Sequence, residues 1–363
     1  MMRRRTLLTT GAALAAAAVM RPAMSFAEEG GFAPAPGKWR TFEMRTRIEL
    51  ASVKGPARAW VPVPSFASDG WTRPEPSSFT GNATTATLVK APVGMVVAEW
   101  AGGAEAPVLE VVSRVQTRDR AVDLAATGAT LTADERARYL APSDLIPTDG
   151  VVAETAKRAI GAATTDRAKA EAIYQWVVEN THRDAQVRGC GLGDVASMLE
   201  SGSLGGKCAD INALYVGLAR AAGLPARDVY GVRVAPSRFG YKSLGANSET
   251  ITKAQHCRAE VWLDGPGWVP VDPADVRKVA LEEPPANRPL DDPKVAAARR
   301  TLFGAWETNW VAYNDAHDVA LPGATGPKLG FLMYPQAETA AGRLDCLDAD
   351  GFKYVITARE IVA

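Results

Sequence analysis

The chain has 363 residues, 47% of them hydrophobic, and its 41 basic and 41 acidic side chains cancel to no net charge. No basic stripe with interleaved aromatics runs through it, which argues against a nucleic-acid partner. The length exceeds what one core usually holds, so two domains are expected, and a chain of this size needs no disulfide to fold.

Residues 1–27, MMRRRTLLTTGAALAAAAVMRPAMSFA, read as an export leader rather than as part of the fold. An arginine cluster precedes a modest apolar run, and a small-x-small site closes it at Ser25, Phe26 and Ala27. The run from Leu7 to Met20 is short and rich in alanine, too weak for a membrane span. Arg4 and Arg5, followed by Thr6, Leu7 and Leu8, fit a twin-arginine signal. An ordinary secretory signal with adjacent arginines is the alternative. The twin-arginine reading is preferred, and it sends the folded protein to the periplasm or beyond. Removing the leader takes away four arginines and no acid, leaving 37 basic and 41 acidic residues, a net of −4.

Residues 28–139 are expected to form an all-β domain. In WRTFEMRTRIEL, Phe42, Met44, Ile48 and Leu50 alternate with Glu43, Arg45, Arg47 and Glu49, the period of a half-buried strand. Further strands are expected at 57–64, 83–90, 95–100 and 108–117, with AGGAEAP turning between the last two. An antiparallel sheet or sandwich is their natural sum.

LAPSDLIPTDG at 140–150 has the prolines and turn residues of a connection, and it opens the second expected domain, 140–280. There DRAKAEAIYQWVVENTH sets Ile173, Trp176 and Val177 on one helical face, and the loop RDAQVRGCGLGD leads to a short helix near Val195–Leu199. Next comes GGKCADINALYVGLARAAGLPAR, in which Ile211, Leu214, Tyr215, Leu218, Ala219 and Ala222 recur at the helical period. Gly223 and Pro225 end that helix, and Gly205 and Gly206 let the backbone approach it at a sharp angle. Cys208 therefore stands in the first turn, where unpaired N–H groups and the helix dipole favour a thiolate. A buried cysteine acting as a small hydrophobe fits the same position.

After strand-like ARDVYGVRVA and a long loop at 236–255, the strand HCRAEVWL carries His256. A DGPG turn then returns the chain through a second strand to Asp272, where Pro273 stops it. Such a hairpin can set an acid beside the imidazole. Cys208 as nucleophile, His256 as base and Asp272 as orienting acid then fill the roles of a thiol triad.

The two blocks GGKCADINALYVGLARAAGLPAR and HCRAEVWLDGPGWVPVDPAD, in this order and spacing, resemble the core of the bacterial transglutaminase-like superfamily of papain-like thiol enzymes. The resemblance covers roughly residues 150–280. It implies an α+β papain-like core, in which a helix carrying the cysteine packs on an antiparallel sheet carrying the histidine and the acid. Here that core follows the N-terminal all-β domain. Carried over residue by residue, the family's functional positions fall on Cys208, His256 and Asp272. The family's frequent aromatic two residues after the histidine is Arg258 here, which bears on the cleft wall or the substrate charge preferred. The resemblance also implies a first oxyanion donor in the Cys208 N–H. A second would come from an upstream side chain, with Gln175, Trp176 and Gln186 all open.

Arg258 and Glu260 share the strand face of His256, and they either line the cleft or form a solvated ion pair. Asp210 and Asn212 suit the first helical turn as local hydrogen bonders. The head of Lys207 is expected in water, and Cys257 alternates away from His256. Cys190, Cys208, Cys257 and Cys346 allow two disulfides, or at most one if Cys208 stays free. Residues 281–363 begin with the proline-rich EEPPANRPLDDP and are expected to complete the core or pack on it. Their Trp306, Trp310, Tyr313, Phe331 and Tyr334 serve packing or wall a substrate groove. DADG at 348–351 suits a turn better than a calcium loop, and His317 is left outside the site.

The expected activity is that of an exported thiol enzyme acting on an amide of a peptide or protein. Attack by Cys208 gives a thioester, which is hydrolysed in preference to passing to an amine. No metal or organic cofactor is implied, since no paired-ligand spacing occurs. The alternative is a catalytically silent domain of the same fold that binds a periplasmic protein or cell-wall peptide.

Overall fold

The alternation in WRTFEMRTRIEL produces the strand Arg40–Glu49, with Phe42, Met44 and Ile48 buried. The computed structural model describes residues 31–51 and 55–361, so the expected leader, 1–27, lies outside the described residues. Strand Val108–Thr117 pairs antiparallel with one edge of Arg40–Glu49, and strand Lys353–Ile361 pairs with the other. A second antiparallel sheet joins Thr85–Val89, Met95–Trp100 and Ala57–Pro62, and Gln336–Thr339 extends it. A core containing Ile48 and Val111 from the first sheet and Val61 and Val96 from the second holds the two together.

The helical region follows, with helices at Gly150–Ile160 and Asp166–Asn180. The second is capped by Thr165, whose side chain accepts from the Ala168 N–H. Helix Cys208–Ala221 then leads into an antiparallel sheet ordered Gly267–Val271, Gln255–Leu263, Ala226–Arg233 and Trp310–Asn314. The architecture is α+β, as expected.

The sequence shows one apolar face on the Cys208 helix, but every residue from 208 to 220 is buried. The two preceding helices pack against it, and strands Ala226–Arg233 and Gln255–Leu263 also lie on it. Burying Ile211, Leu214 and Leu218 stabilises the fold by about 1.5–3 kcal/mol each. Polar residues survive there because each has a named partner: Arg220 Nε, for example, donates to the Ala226 carbonyl at 2.9 Å. Gly223, at φ +84°, ends the helix in the left-handed region.

Residues 281–363 divide their strands between layers. Trp310–Asn314 joins the sheet of the helical region, whereas Gln336–Thr339 and Lys353–Ile361 enter the two N-terminal sheets. Strand pairing thus crosses both expected boundaries, 139/140 and 280/281. Trp306, Trp310 and Tyr313 are buried packing residues. The turn at 348–351 leads into strand Lys353–Ile361, as DADG suggested.

Candidate active site

The loop before the Cys208 helix is organised by Asp210. Its carboxylate accepts from the N–H groups of Lys207 at 2.9 Å and of Leu192 and Gly193 at 3.0 Å. This supplies the helix cap that Lys207, in the N-cap position, cannot. Two glycines make room for it. Gly191 has φ +91°, and a Cβ there would stand 1.8 Å from Asp210 Oδ2; a Cβ on Gly206 would stand 2.5 Å from Asp210 Cβ. Close approach to Asp210 is what Gly206 provides.

The same loop brings Cys190 to the helix start, where its carbonyl accepts from the Ala209 N–H at 2.9 Å. Cys190, Cys208 and Cys257 form a buried group of thiols, and all four cysteines are free. The neighbouring Cys190 and Cys257 thiols and the His256 imidazole outweigh burial and hold Cys208 well below the usual cysteine range, while the Cys190 thiol itself donates to the Gln255 carbonyl at 3.3 Å. Cys190 is pushed up by neighbouring Cys208 and by burial, and Cys257 by burial and then by Cys208. The electrostatics thus favour a thiolate at Cys208 and thiols at Cys190 and Cys257. Cys257 is buried as alternation required, yet it lies close enough to shift Cys208, which alternation did not suggest.

His256 comes from strand Gln255–Leu263, and Asp272 caps helix Pro273–Glu282 by accepting from the Asp275 N–H at 3.0 Å. His256 Nε2 lies 2.8 Å from Asp272 Oδ2. That bond fixes the tautomer and leaves Nδ1 as the nitrogen free to meet the thiol. Burial and the Arg233 charge oppose protonation of the ring, but Asp275 and Asp272 outweigh them and its pKa is raised. Burial and neighbouring Asp275 raise Asp272. Burial would raise Asp275 too, but Arg233 and then His256 hold it below the carboxylate range. Arg233 Nη2 bonds Asp275 Oδ1 at 2.5 Å, and Arg258 Nε lies 3.4 Å from Asp272 Oδ2.

Cys208 and His256 open onto a cleft of about 630 Å³, with Asp272 buried beneath them. All three expected site residues are thus brought together. Residues 153–273 match the family model described as the transglutaminase-like superfamily. A protein of Haemophilus influenzae described only as uncharacterized is 37% identical over 327 residues, spanning 85% of this chain and 87% of that one. The chain carries a transglutaminase-like domain at residues 153–273. Among solved structures, a candidate cysteine protease of Cytophaga hutchinsonii superposes with a TM-score of 0.55 at 14% identity, over 91% of this chain and 93% of that one. That likeness is one of fold.

Other expectations for this transglutaminase-like site are corrected. Arg258 does not wall the cleft: it is buried against Asp272, with its guanidinium 5.2 Å and 4.9 Å from the Trp306 and Trp310 ring centres. Glu260 is not solvated either. It is buried between Arg120 and Arg227, the latter at 2.6 Å. Gln175 is exposed and bonds Arg299 at 2.5 Å, Gln186 is exposed, and Trp176 packs on the core. Among the described residues none of these three lines the cleft. Gln255 does, and its buried Nε2 has no hydrogen-bond partner there. Tyr334 lines the cleft as well, whereas Phe331 does not.

Asn212 does not bond locally within its helix turn. Instead its Nδ2 reaches the Cys257 carbonyl at 2.9 Å and Asp272 Oδ1 at 3.2 Å. Asp275, three residues after Asp272 in the first turn of the same helix, is a further member of the site, and its spacing is the sequence signal for it. His256, Asp272 and Asp275 have ligand atoms within 4.8 Å of one another, the donor set of a metal site. The guanidinium groups of Arg233 and Arg258 already supply the cations these carboxylates need. His317 sits apart, 3.6 Å from buried Asp228. No helix among the described residues is long and apolar enough to cross a membrane.

Proposed function

We propose that this protein is an exported thiol enzyme that cleaves an amide bond of a peptide or protein through Cys208, His256 and Asp272. The observation that carries the reading is the 2.8 Å bond from His256 Nε2 to Asp272 Oδ2, with His256 sharing one cleft with the helix-start cysteine. Cys208 Sγ attacks the carbonyl carbon, and the Cys208 N–H, a first-turn donor, receives the developing oxyanion. His256 gives its Nδ1 proton to the leaving nitrogen as the C–N bond breaks, which leaves a thioester. Water then attacks the thioester, His256 takes its proton, and the carboxylic acid departs with Cys208 restored. Asp272 keeps the ring oriented and stabilises the imidazolium. Hydrolysis is preferred to amine transfer because a cleft lined by charged side chains holds water. The leader at 1–27 carries the proposal of export, by a twin-arginine route to the periplasm or beyond.

Peptide-resolved iodoacetamide labelling of the mature protein from pH 5 to 9 tests this reading. Cys208 should label rapidly well below the ordinary thiol pKa of about 8.5, and more slowly in His256→Ala, while Cys190 and Cys257 stay inert. An inert Cys208, or one unaffected by His256→Ala, refutes the enzyme and leaves a binding domain of the same fold.

A further inference from the structure

The cleft over Cys208 is cationic. Arg183, Arg188, Lys207, Arg233, Lys253 and Lys278 line it, and among the described residues no Asp or Glu does. This occurs on a chain with no net charge. Two of the six are neutralised from behind: Arg188 by Asp345 at 2.8 Å and Arg233 by Asp275 at 2.5 Å. Arg183 and Lys278 share one carboxylate, Glu282, which is 3.8 Å from Lys278 Nζ. Lys207 and Lys253 have no ion-pair partner among the described residues. The wall therefore carries three positive charges in excess, and the Cys208 thiolate and His256 imidazolium cancel each other.

These charges are poorly hydrated where they matter. The Arg183 and Lys278 side chains are 12% and 20% exposed. Burial, then the charges of Arg233 and Arg183, hold Lys278 below the usual lysine range. A cation crowded by cations and partly removed from water is stabilised when an anion arrives. In a concave site the field of one sign also concentrates ligands of the other.

We propose that the cleft selects amide substrates that carry a free carboxylate close to the scissile bond, and that Arg183, Lys207 and Lys278 are the residues that read it. The inference rests on the thiol-enzyme reading above. Two kinds of peptide present this chemistry: α-linked acidic peptides, and γ-linked glutamyl peptides whose α-carboxylate stays free.

Paired alkylation of the full mature protein tests the charge preference without a known substrate. The rates of iodoacetate and iodoacetamide at Cys208 are compared, and their ratio is divided by the same ratio for free cysteine. The normalised ratio should favour the anion on the order of tenfold. It should fall toward unity in Arg183→Gln/Lys278→Gln and in high salt, and persist in the charge-conserving Arg183→Lys/Lys278→Arg. Protection of Cys208 by an α-linked glutamate peptide and by a γ-glutamyl peptide, each against its amidated form, then identifies the better source. Preference for the free acid in either series supports the proposal. A reactive Cys208 with a ratio near unity, or with a ratio insensitive to both charge-removing substitutions, overturns this inference and leaves the thiol-enzyme reading standing. An inert Cys208 overturns both.

Discussion

Asn212, in the second turn of the Cys208 helix, donates to Asp272 Oδ1 at 3.2 Å while its own Oδ1 accepts from the Ala274 N–H at 3.3 Å. One side chain thus locks the helix that carries the sulfur to the turn that carries the acid. Asn212→Ala leaves the Ala274 N–H without its partner in a buried site and removes one of the two donors to Asp272 Oδ1. The loss should be about 1–3 kcal/mol, read as a lower urea midpoint with an unchanged m-value. Unaltered stability would mean that the two elements are held in register without this residue.

Asp272→Asn separates the two duties of that residue. Asparagine is as good an N-cap as aspartate, so the melting temperature should hold within a few degrees. The amide favours the wrong imidazole tautomer and leaves the imidazolium without its anion, so turnover on a responsive peptide should fall by about 10³–10⁴. Full activity in a folded Asp272→Asn protein would remove Asp272 from the mechanism.

A thiolate–imidazolium pair is expected between two limits. Cys208 titrates below the ordinary thiol range and His256 above the ordinary imidazole value. The alkylation rate of Cys208 should therefore rise as the thiol loses its proton at low pH, then hold on a plateau. It should change again only where His256 loses its proton, above about pH 6.5. Asp272→Asn removes an anion that supports the imidazolium, so this upper step should move to lower pH. A single step near the ordinary cysteine value would show that no pair forms.

Asp228 tests the electrostatics of the sheet away from the cleft. It is fully buried, neither carboxylate oxygen has a hydrogen-bond partner among the described residues, and burial pushes it up to about 7 against the opposing charge of Arg220. The folded pKa lies above the unfolded value of about 3.9, so the fold binds this proton more tightly than the open chain does. Its contribution is complete at low pH and is lost as pH rises toward 7. Asp228→Asn removes that dependence. Its stability relative to the parent should climb between pH 4 and 7, by on the order of a few kcal/mol, and then level. A constant difference in denaturation experiments across that range would contradict the burial argument.

Local periodicity made much of this molecule legible. The Cys208 helix followed from its 3.6-residue repeat and Gly223, and the hairpin from alternation around DGPG. The approach of His256 to Asp272 followed from that hairpin. What stayed hidden depends on pairing between distant segments. Arg233 and Asp275 meet because strand Ala226–Arg233 pairs with the His256 strand in one register, Gly231 opposite His256. Register of this kind is not written in either strand alone. Glu260 is buried because Arg120 arrives from the N-terminal region. Pro273 ends a strand and begins a helix with equal ease, so helix Pro273–Glu282 was read only as a stop.

The strand Lys353–Ile361 pairs Thr41 with Ile361 and also fastens the loop before His256, where the Ile251 N–H reaches the Ile356 carbonyl at 2.8 Å. Phe352 and Tyr354, at its start, stand in the cleft wall. The ribosome releases these residues after all the others described. The Cys208 helix is therefore made long before this part of the cleft wall, and a nascent chain carries the sulfur without a finished cleft. Pairing across such a sequence distance is slow to form, so the cleft is completed only after synthesis has passed this strand. A polypeptide cut short before residue 353 would lack both the sheet edge and the Tyr354 part of the wall.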